Sequence, residues 1–160
     1  MSASRFVANP RLKALKEEAM SEAALAGLVM ASAAMKTLLS RKGTGRAYTQ
    51  KGGRVHRAST AGSPPAPNFG RLRASWSLDS AGKRITPSDS VLSRVKLKPT
   101  SVGWRLSSTL RYAKIEHGYR GVAARPYIKP TLALVNPEIP QVMAVALKRA
   151  FKRRFGSGRK

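Results

Sequence analysis

The stretch His56-Arg-Ala-Ser-Thr-Ala-Gly-Ser-Pro-Pro-Ala-Pro-Asn-Phe-Gly-Arg-Leu-Arg-Ala-Ser-Trp76 separates two kinds of pattern in this chain. Pro64, Pro65 and Pro67 lack an amide proton and push the residues before them into extended conformations, so no helix runs through the stretch. Gly62 adds a position that tolerates positive φ. The expectation is an extended arm. Upstream of it the apolar residues recur with helical spacing, and downstream they alternate as in a strand. That change of period points to an α+β fold.

Upstream, Asn9-Pro10 reads as a cap followed by a first helical residue. Leu12, Leu15, Ala19, Ala26, Met30 and Ala33 then recur at spacings of three, four or seven, which predicts a helix from Pro10 to Ser40. Such a helix is about 45 Å long at 1.5 Å per residue. Its seam is mostly alanine, which permits close approach but buries little area per residue, and part of it is expected to pack on a neighbouring subunit. Between Arg41 and Ser75 the chain carries Arg41, Lys42, Arg46, Lys51, Arg54, Arg57, Arg71 and Arg73 with no acidic residue. Its many glycines predict a flexible basic loop. Gly43-Thr44-Gly45 is not a phosphate-binding loop, because no Gly-Lys-Ser/Thr closes it and no apolar strand precedes it.

Downstream, Leu72 to Ser75 reads as a helical turn or the start of a strand, and Trp76 and Leu78 alternate with polar neighbours. Val91, Ser93, Val95 and Leu97 share one face opposite Leu92, Arg94, Lys96 and Lys98; after a turn at Pro99 to Ser101, Val102, Trp104 and Leu106 return against Gly103, Arg105 and Ser107. This predicts a hairpin with one apolar and one basic face, part of an antiparallel sheet of about three or four strands backed by helix. Leu110 to Glu116 reads as a short helix ending at Gly118 or as an edge strand, the helix being preferred because Tyr112, Ala113 and Glu116 share a face, and Arg125 to Pro130 reads as extended. A helix begins at Leu132 to Val135 and is interrupted by Asn136, Pro137 and Pro140. From Ile139 an amphipathic helix places Val142, Met143, Ala146, Leu147, Ala150 and Phe151 on one face and runs into the basic residues Lys148, Arg149, Lys152, Arg153, Arg154, Arg159 and Lys160.

The expected organisation is a single domain with appendages: 1–40 the amino-terminal helix, 41–70 the basic Gly/Pro-rich loop and arm, 71–155 the α+β core with its closing helix, and 156–160 a basic tail. The 31 Lys and Arg against 7 Asp and Glu give 160 residues a formal charge of +24. A chain so charged repels itself and requires an anionic partner, either nucleic acid or an acidic protein surface. The most apolar window, Ala23 to Met35, is too short and alanine-rich to span a bilayer, and Glu17 and Glu18 interrupt what a secretory signal would keep apolar, so neither a membrane contact nor a leader is expected.

Catalytic and metal chemistry find little purchase. There is no cysteine, and the two histidines, His56 and His117, are far apart in sequence. A zinc site would need both of them plus carboxylates. Asp79, Asp89, Glu116 and Glu138 are isolated, whereas a magnesium nuclease wants converging acids. No nucleophile-elbow motif occurs. No enzyme activity, cofactor or metal is expected. Glu116 is expected to form an ion pair with an arginine, and Trp76 and Trp104 to pack in the core.

Four ordered blocks carry a resemblance. They are Ala58-Ser59 with Gly62-Ser63-Pro64-Pro65-Ala66; Gly70-Arg71-Leu72-Arg73-Ala74-Ser75-Trp76; Tyr112-Ala113 with Ile115-Glu116 and Gly118; and Ala124-Arg125-Pro126-Tyr127-Ile128-Lys129-Pro130 with Leu132. In this order the chain, from roughly Arg41 to Leu147, resembles the head-to-tail connector proteins of long-tailed double-stranded DNA bacteriophages, also called neck or tail-completion proteins. Each block alone is a short phrase of common residues, and the ordered set is what is specific. The +24 charge and the basic tail are not part of the pattern.

The resemblance implies a small α+β subunit in which a long amino-terminal helix and a carboxyl-terminal helix pack on an antiparallel sheet. It implies assembly as a homo-oligomeric ring, a hexamer or else a dodecamer, around the DNA passage at the head-tail junction of the virion, after synthesis in the bacterial host cytoplasm. The partners it implies are the adjacent head-connector and the tail-terminator or tail-tube proteins, and the proline arm would dock on a neighbour. Arg94, Lys96, Lys98, Arg105, Lys148, Arg149, Lys152, Arg153 and Arg154 are the candidate contacts to double-stranded DNA or an acidic partner. The alternative reading is a freestanding basic nucleic-acid-binding protein, nucleoid-like or ribosome-associated, although no RNA-binding signature or helix-turn-helix accompanies the charge.

Overall fold

A computed structural model describes residues 10–80, 83–85, 104–108, 110–118 and 121–156. The protein is α+β. Helix α1 spans Pro10–Leu38; strands β1 (Ala47–Thr49) and β2 (Val55–Arg57) form a hairpin; a one-turn helix α2 (Arg71–Ser75) leads directly into β3 (Trp76–Ser80). Strands β4 (Lys83–Ile85) and β5 (Trp104–Ser108) follow, then a 3-10 helix (Arg111–His117), α3 (Ile128–Val135) and α4 (Ile139–Phe155). The second sheet has the order β4-β3-β5 and is antiparallel throughout, with Trp76 opposite Ser108 and Leu78 opposite Leu106.

Helix α1 is the axis of the fold because it is covered on two flanks. Ala19, Ala23, Gly27 and Ala31 are buried at intervals of four residues, so they share a face. Along this line α4 packs against α1, and Gly27 is the point of closest approach, where an added Cβ would lie 3.3 Å from Met143 Cγ and 3.4 Å from Ile139 Cγ2. Small side chains let two helices approach; they do not stabilise much by area. Ion pairs at the other end of the contact hold α4 antiparallel to α1, as described below.

The second flank carries the larger side chains. Met35, Leu38 and Leu39 join Trp76, Ile115 and Tyr127 in a buried cluster, and Leu72, Leu106 and Ile128 pack against it. Tyr127 is fully buried, and its ring meets that of Trp76 edge to face at 5.9 Å. Burying such rings stabilises by about 2 kcal/mol each. Two-sided coverage corrects the single seam expected for α1. Ala19 is buried as expected, but Leu12 is 55% exposed and Ala33 is exposed, because the buried arc is wider than one stripe and is displaced from it.

Two further expectations change. The basic segment after α1 is not simply a loop, since it contains the β1–β2 hairpin, in register at Ala47 with Arg57 and Thr49 with Val55. Its tip is Lys51-Gly52-Gly53, where both glycines adopt positive φ, 94° and 79°. The Arg125 to Pro130 segment is extended only to Tyr127; Ile128, Lys129 and Pro130 form the first turn of α3, where a missing amide proton is harmless. The expected hairpin strand Val91 to Leu97, with Arg94, Lys96 and Lys98, lies outside the described residues, as does the tail after Gly156.

Candidate functional site

The two diagnostic regions of the sequence, the arm at 58–70 and the strap at 112–130, meet in the fold. Arg125 makes the junction. Its Nη1 donates to the Ser59 carbonyl, to Ser59 Oγ at 2.5 Å and to the Thr60 carbonyl at 3.0 Å. Beside it the Gly62 amide donates to the Ala124 carbonyl at 3.0 Å, and the Arg125 amide donates to the Ile115 carbonyl at 2.8 Å. Ser59 is buried by this clasp. Residues 59–62 of the arm therefore dock on their own chain, and of the arm residues that follow, 63–70, only Asn68 and Phe69 are exposed. Pro65 is itself buried and Pro64 half-buried.

Glu116 organises the strap from inside. It is buried at 6% exposure, and its Oε2 accepts from the Tyr127 amide at 2.6 Å and the Ile128 amide at 3.0 Å. The first amides of a helix have no partner within it, and Tyr127 offers α3 no side-chain cap, so the carboxylate caps α3 from a distant segment. Among the described residues no ion pair joins Glu116 to the arginine that the sequence led one to expect; the role given to Oε2 is that of a cap on two backbone amides. Gly118 turns the chain just after it with φ 85°, and its amide donates to the Ile115 carbonyl.

The remaining motif residues serve the same junction. Gly70, at φ 69°, turns the chain into α2, and Leu72 packs on the core. Ser75 Oγ donates to the Leu72 carbonyl at 2.8 Å and shares a hydrogen bond with Ser108 Oγ at 2.6 Å, which ties α2 to β5. Pro126 is half-buried beside Tyr127, Pro130 lies in the first turn of α3, and Tyr112 belongs to the 3-10 helix. Gly43 and Gly45 also find a physical role. A Cβ on Gly43 would overlap the carbonyls of Arg57 and Ala58, so the glycine permits the end of α1 to lie against the base of the hairpin.

The expected cationic contacts divide. Lys148, Arg149 and Lys152 are exposed on α4. Arg153 pairs with Glu22, and Arg154 bridges Glu22 at 2.6 Å and Glu18 at 3.3 Å. The hydrogen bond to Glu22 holds the Arg154 guanidinium above its ordinary pKa. With 18% side-chain exposure, Arg154 is a tie between α1 and α4 rather than a free contact, while Arg153 remains 65% exposed. Arg105 lies in β5, and Arg94, Lys96 and Lys98 are outside the described residues.

The basic residues of the segment after α1 were legible in the sequence, but the β1–β2 hairpin that carries part of them was not. Arg41, Lys42, Arg46, Lys51, Arg54, Arg57, Arg71 and Arg73 are all exposed, and no carboxylate lies between Arg41 and Leu78. The signal was present in Tyr48-Thr49 and Val55-His56 flanking a Gly-Gly turn. Among the described residues no group of three or more His, Asp or Glu could hold a metal ion, and no helix is long and apolar enough to cross a membrane.

No protein-family model, curated protein or solved structure matches the chain. Its function is therefore argued from the residues and their geometry.

Proposed function

We propose that the protein is a structural subunit of a bacteriophage neck, forming a ring that joins the head connector to the tail around the DNA passage. The observation that carries this reading is the convergence of the four sequence blocks on one junction. Ser59 and Gly62 from the first block meet Ala124 and Arg125 from the fourth, Glu116 from the third caps the helix that the fourth begins, and Ser75 from the second anchors the sheet. That blocks far apart in sequence contact one another in the fold supports reading them together rather than as unrelated phrases.

Surface chemistry supports an assembled state. Leu132 and Leu134 on α3, and Val145 and Phe155 on α4, are 42–56% exposed, a set of large apolar side chains that a ring neighbour would cover. The protein's charge of +24 has few internal partners, so anionic groups must lie against it in the working state. In a ring each weak contact recurs at high effective concentration, which suits a small subunit of modest interfaces. The test is genetic and morphological. Inactivation of the gene in the virus that carries it should leave DNA-filled heads and separate tails, seen by electron microscopy; intact joined particles would refute the proposal.

A further inference from the structure

The β1–β2 hairpin and the arm enclose a cleft of about 540 Å³ whose chemistry is unlike the rest of the surface. Leu39, Leu72 and Leu110 give it an aliphatic floor, and Pro65 and Pro67 give it a stiff wall. Tyr48 and Phe69 stand at it with 47% and 66% of their surface exposed. Arg71 and Arg73 line it as well. The volume falls in the range of sites that enclose a side chain or small ligand.

Phe69 is the anomaly. It holds φ at 59°, a left-handed conformation that is uncommon outside glycine and turn-forming polar residues, and it does so with its ring largely in solvent. Arg54, from the hairpin tip, places its Cζ 4.6 Å from the centroid of that ring. The pair fastens the hairpin to the arm and fixes one aromatic and one guanidinium beside the cleft. Tyr48 is fixed in turn, edge to face with His56 at 5.3 Å. Arg73 donates to Ser40 Oγ at 2.9 Å, a neutral acceptor that orients the guanidinium without cancelling its charge.

We propose that this cleft binds an extended acidic polypeptide segment of a partner protein, which inserts one apolar side chain onto the aliphatic floor and pairs flanking carboxylates with Arg71 and Arg73. Immobilised aromatic and arginine side chains around an apolar hollow are the composition of interface hot spots. The absence of any carboxylate from Arg41 to Leu78 selects an acidic segment and rejects a basic one. A nucleic-acid duplex fits less well, since its backbone has nothing apolar to fill the aliphatic hollow; a single strand, whose bases could stack on Tyr48 or Phe69, is the competing occupant that the test separates. The inference stands on the cleft and holds whether or not the protein is a neck subunit.

The test selects ligands for the purified full-length protein from a displayed library of random peptides. Recovered peptides should share one large apolar residue flanked by Asp or Glu. Binding of the synthesised consensus, read by fluorescence anisotropy, should weaken at least about tenfold in Phe69→Gly and in Arg71→Gln. The first substitution relieves the backbone and the second removes a side chain with no described contact, so both should fold, as circular dichroism would verify. No consensus, a consensus without acids, or a consensus indifferent to both substitutions overturns the proposal. Displacement of the peptide by oligothymidylate as readily as by itself assigns the cleft to nucleic acid and also overturns it. Failure here leaves the neck assignment standing, and failure of particle genetics leaves the cleft standing.

Discussion

Glu116→Ala and Glu116→Gln should differ sharply in stability, and the difference reads out what the carboxylate does. In the structure one oxygen, Oε2, accepts from two backbone amides, those of Tyr127 and Ile128. Tyr127 is fully buried, so its amide has no water to turn to when the acceptor is removed. Leaving a buried donor unsatisfied costs about 1–3 kcal/mol, which puts the alanine variant at about 3 kcal/mol of destabilisation for the pair. Glutamine keeps a carbonyl oxygen of the same reach. It loses only the charge assistance and the interaction with the α3 dipole, about 1 kcal/mol. For a chain of this size 1 kcal/mol corresponds to about 2–4 °C, so the Tm should fall by about 6–12 °C for alanine and about 2–4 °C for glutamine. Circular dichroism melts and urea titrations of both variants measure this. Equal losses in the two variants would refute the cap, because an ion pair, unlike a cap, gains nothing from the amide oxygen.

Arg125→Ala should release the arm while leaving the core folded, so limited trypsin digestion should cut after Arg57 much faster than in the parent, as mass spectrometry would show; unchanged cleavage would contradict the clasp. Gly27→Leu should separate α4 from α1 and destabilise by about 1–3 kcal/mol, whereas Gly27→Ala, which meets Met143 and Ile139 at 3.3–3.4 Å and gains helix propensity, should be near neutral in the same melts. Arg154→Ala should cost about 1 kcal/mol because it leaves the partly buried Glu18 without its cation while Glu22 keeps Arg153, whereas Arg149→Ala should stay within about 0.5 kcal/mol. Equal effects of the two arginine substitutions would mean that the α1–α4 ion pairs contribute nothing.

The parts of the fold legible in the sequence were those where one local rule acts alone. Helix α1 is helical from Pro10, the first described residue, and ends within two residues of the expected end. Helix α4 starts at Ile139, and the alternation at Trp76 and Leu78 became β3. No helix runs through the proline arm, for the reason proline gives. What escaped depended on partners. The buried face of α1 is set by two flanking layers, which a single stripe of apolar residues does not reveal. The β1–β2 hairpin has strands of three residues in a segment dominated by glycine and arginine, so its pattern was weaker than its composition. Glu116 reads in the sequence as the partner of an arginine, but the donors it accepts from are backbone amides, and backbone groups leave no trace in side-chain patterning. The cleft has the same origin: His56 and Arg71 lie apart in sequence and both line it, where Arg54 sits over Phe69.

The two diagnostic stretches read at first as separate segments, an arm and a strap. Their union through Arg125 supports the neck proposal, because it joins the arm to the strap beside the cationic hairpin and the exposed apolar side chains of α3 and α4. That proposal is tested most directly by reconstructing the neck of the virion at a resolution that traces side chains. The account predicts a ring of copies of this chain between head connector and tail, with the Arg125 clasp closed in each and DNA passing through the centre. Density at the head-tail junction that is fully accounted for by other chains would contradict it.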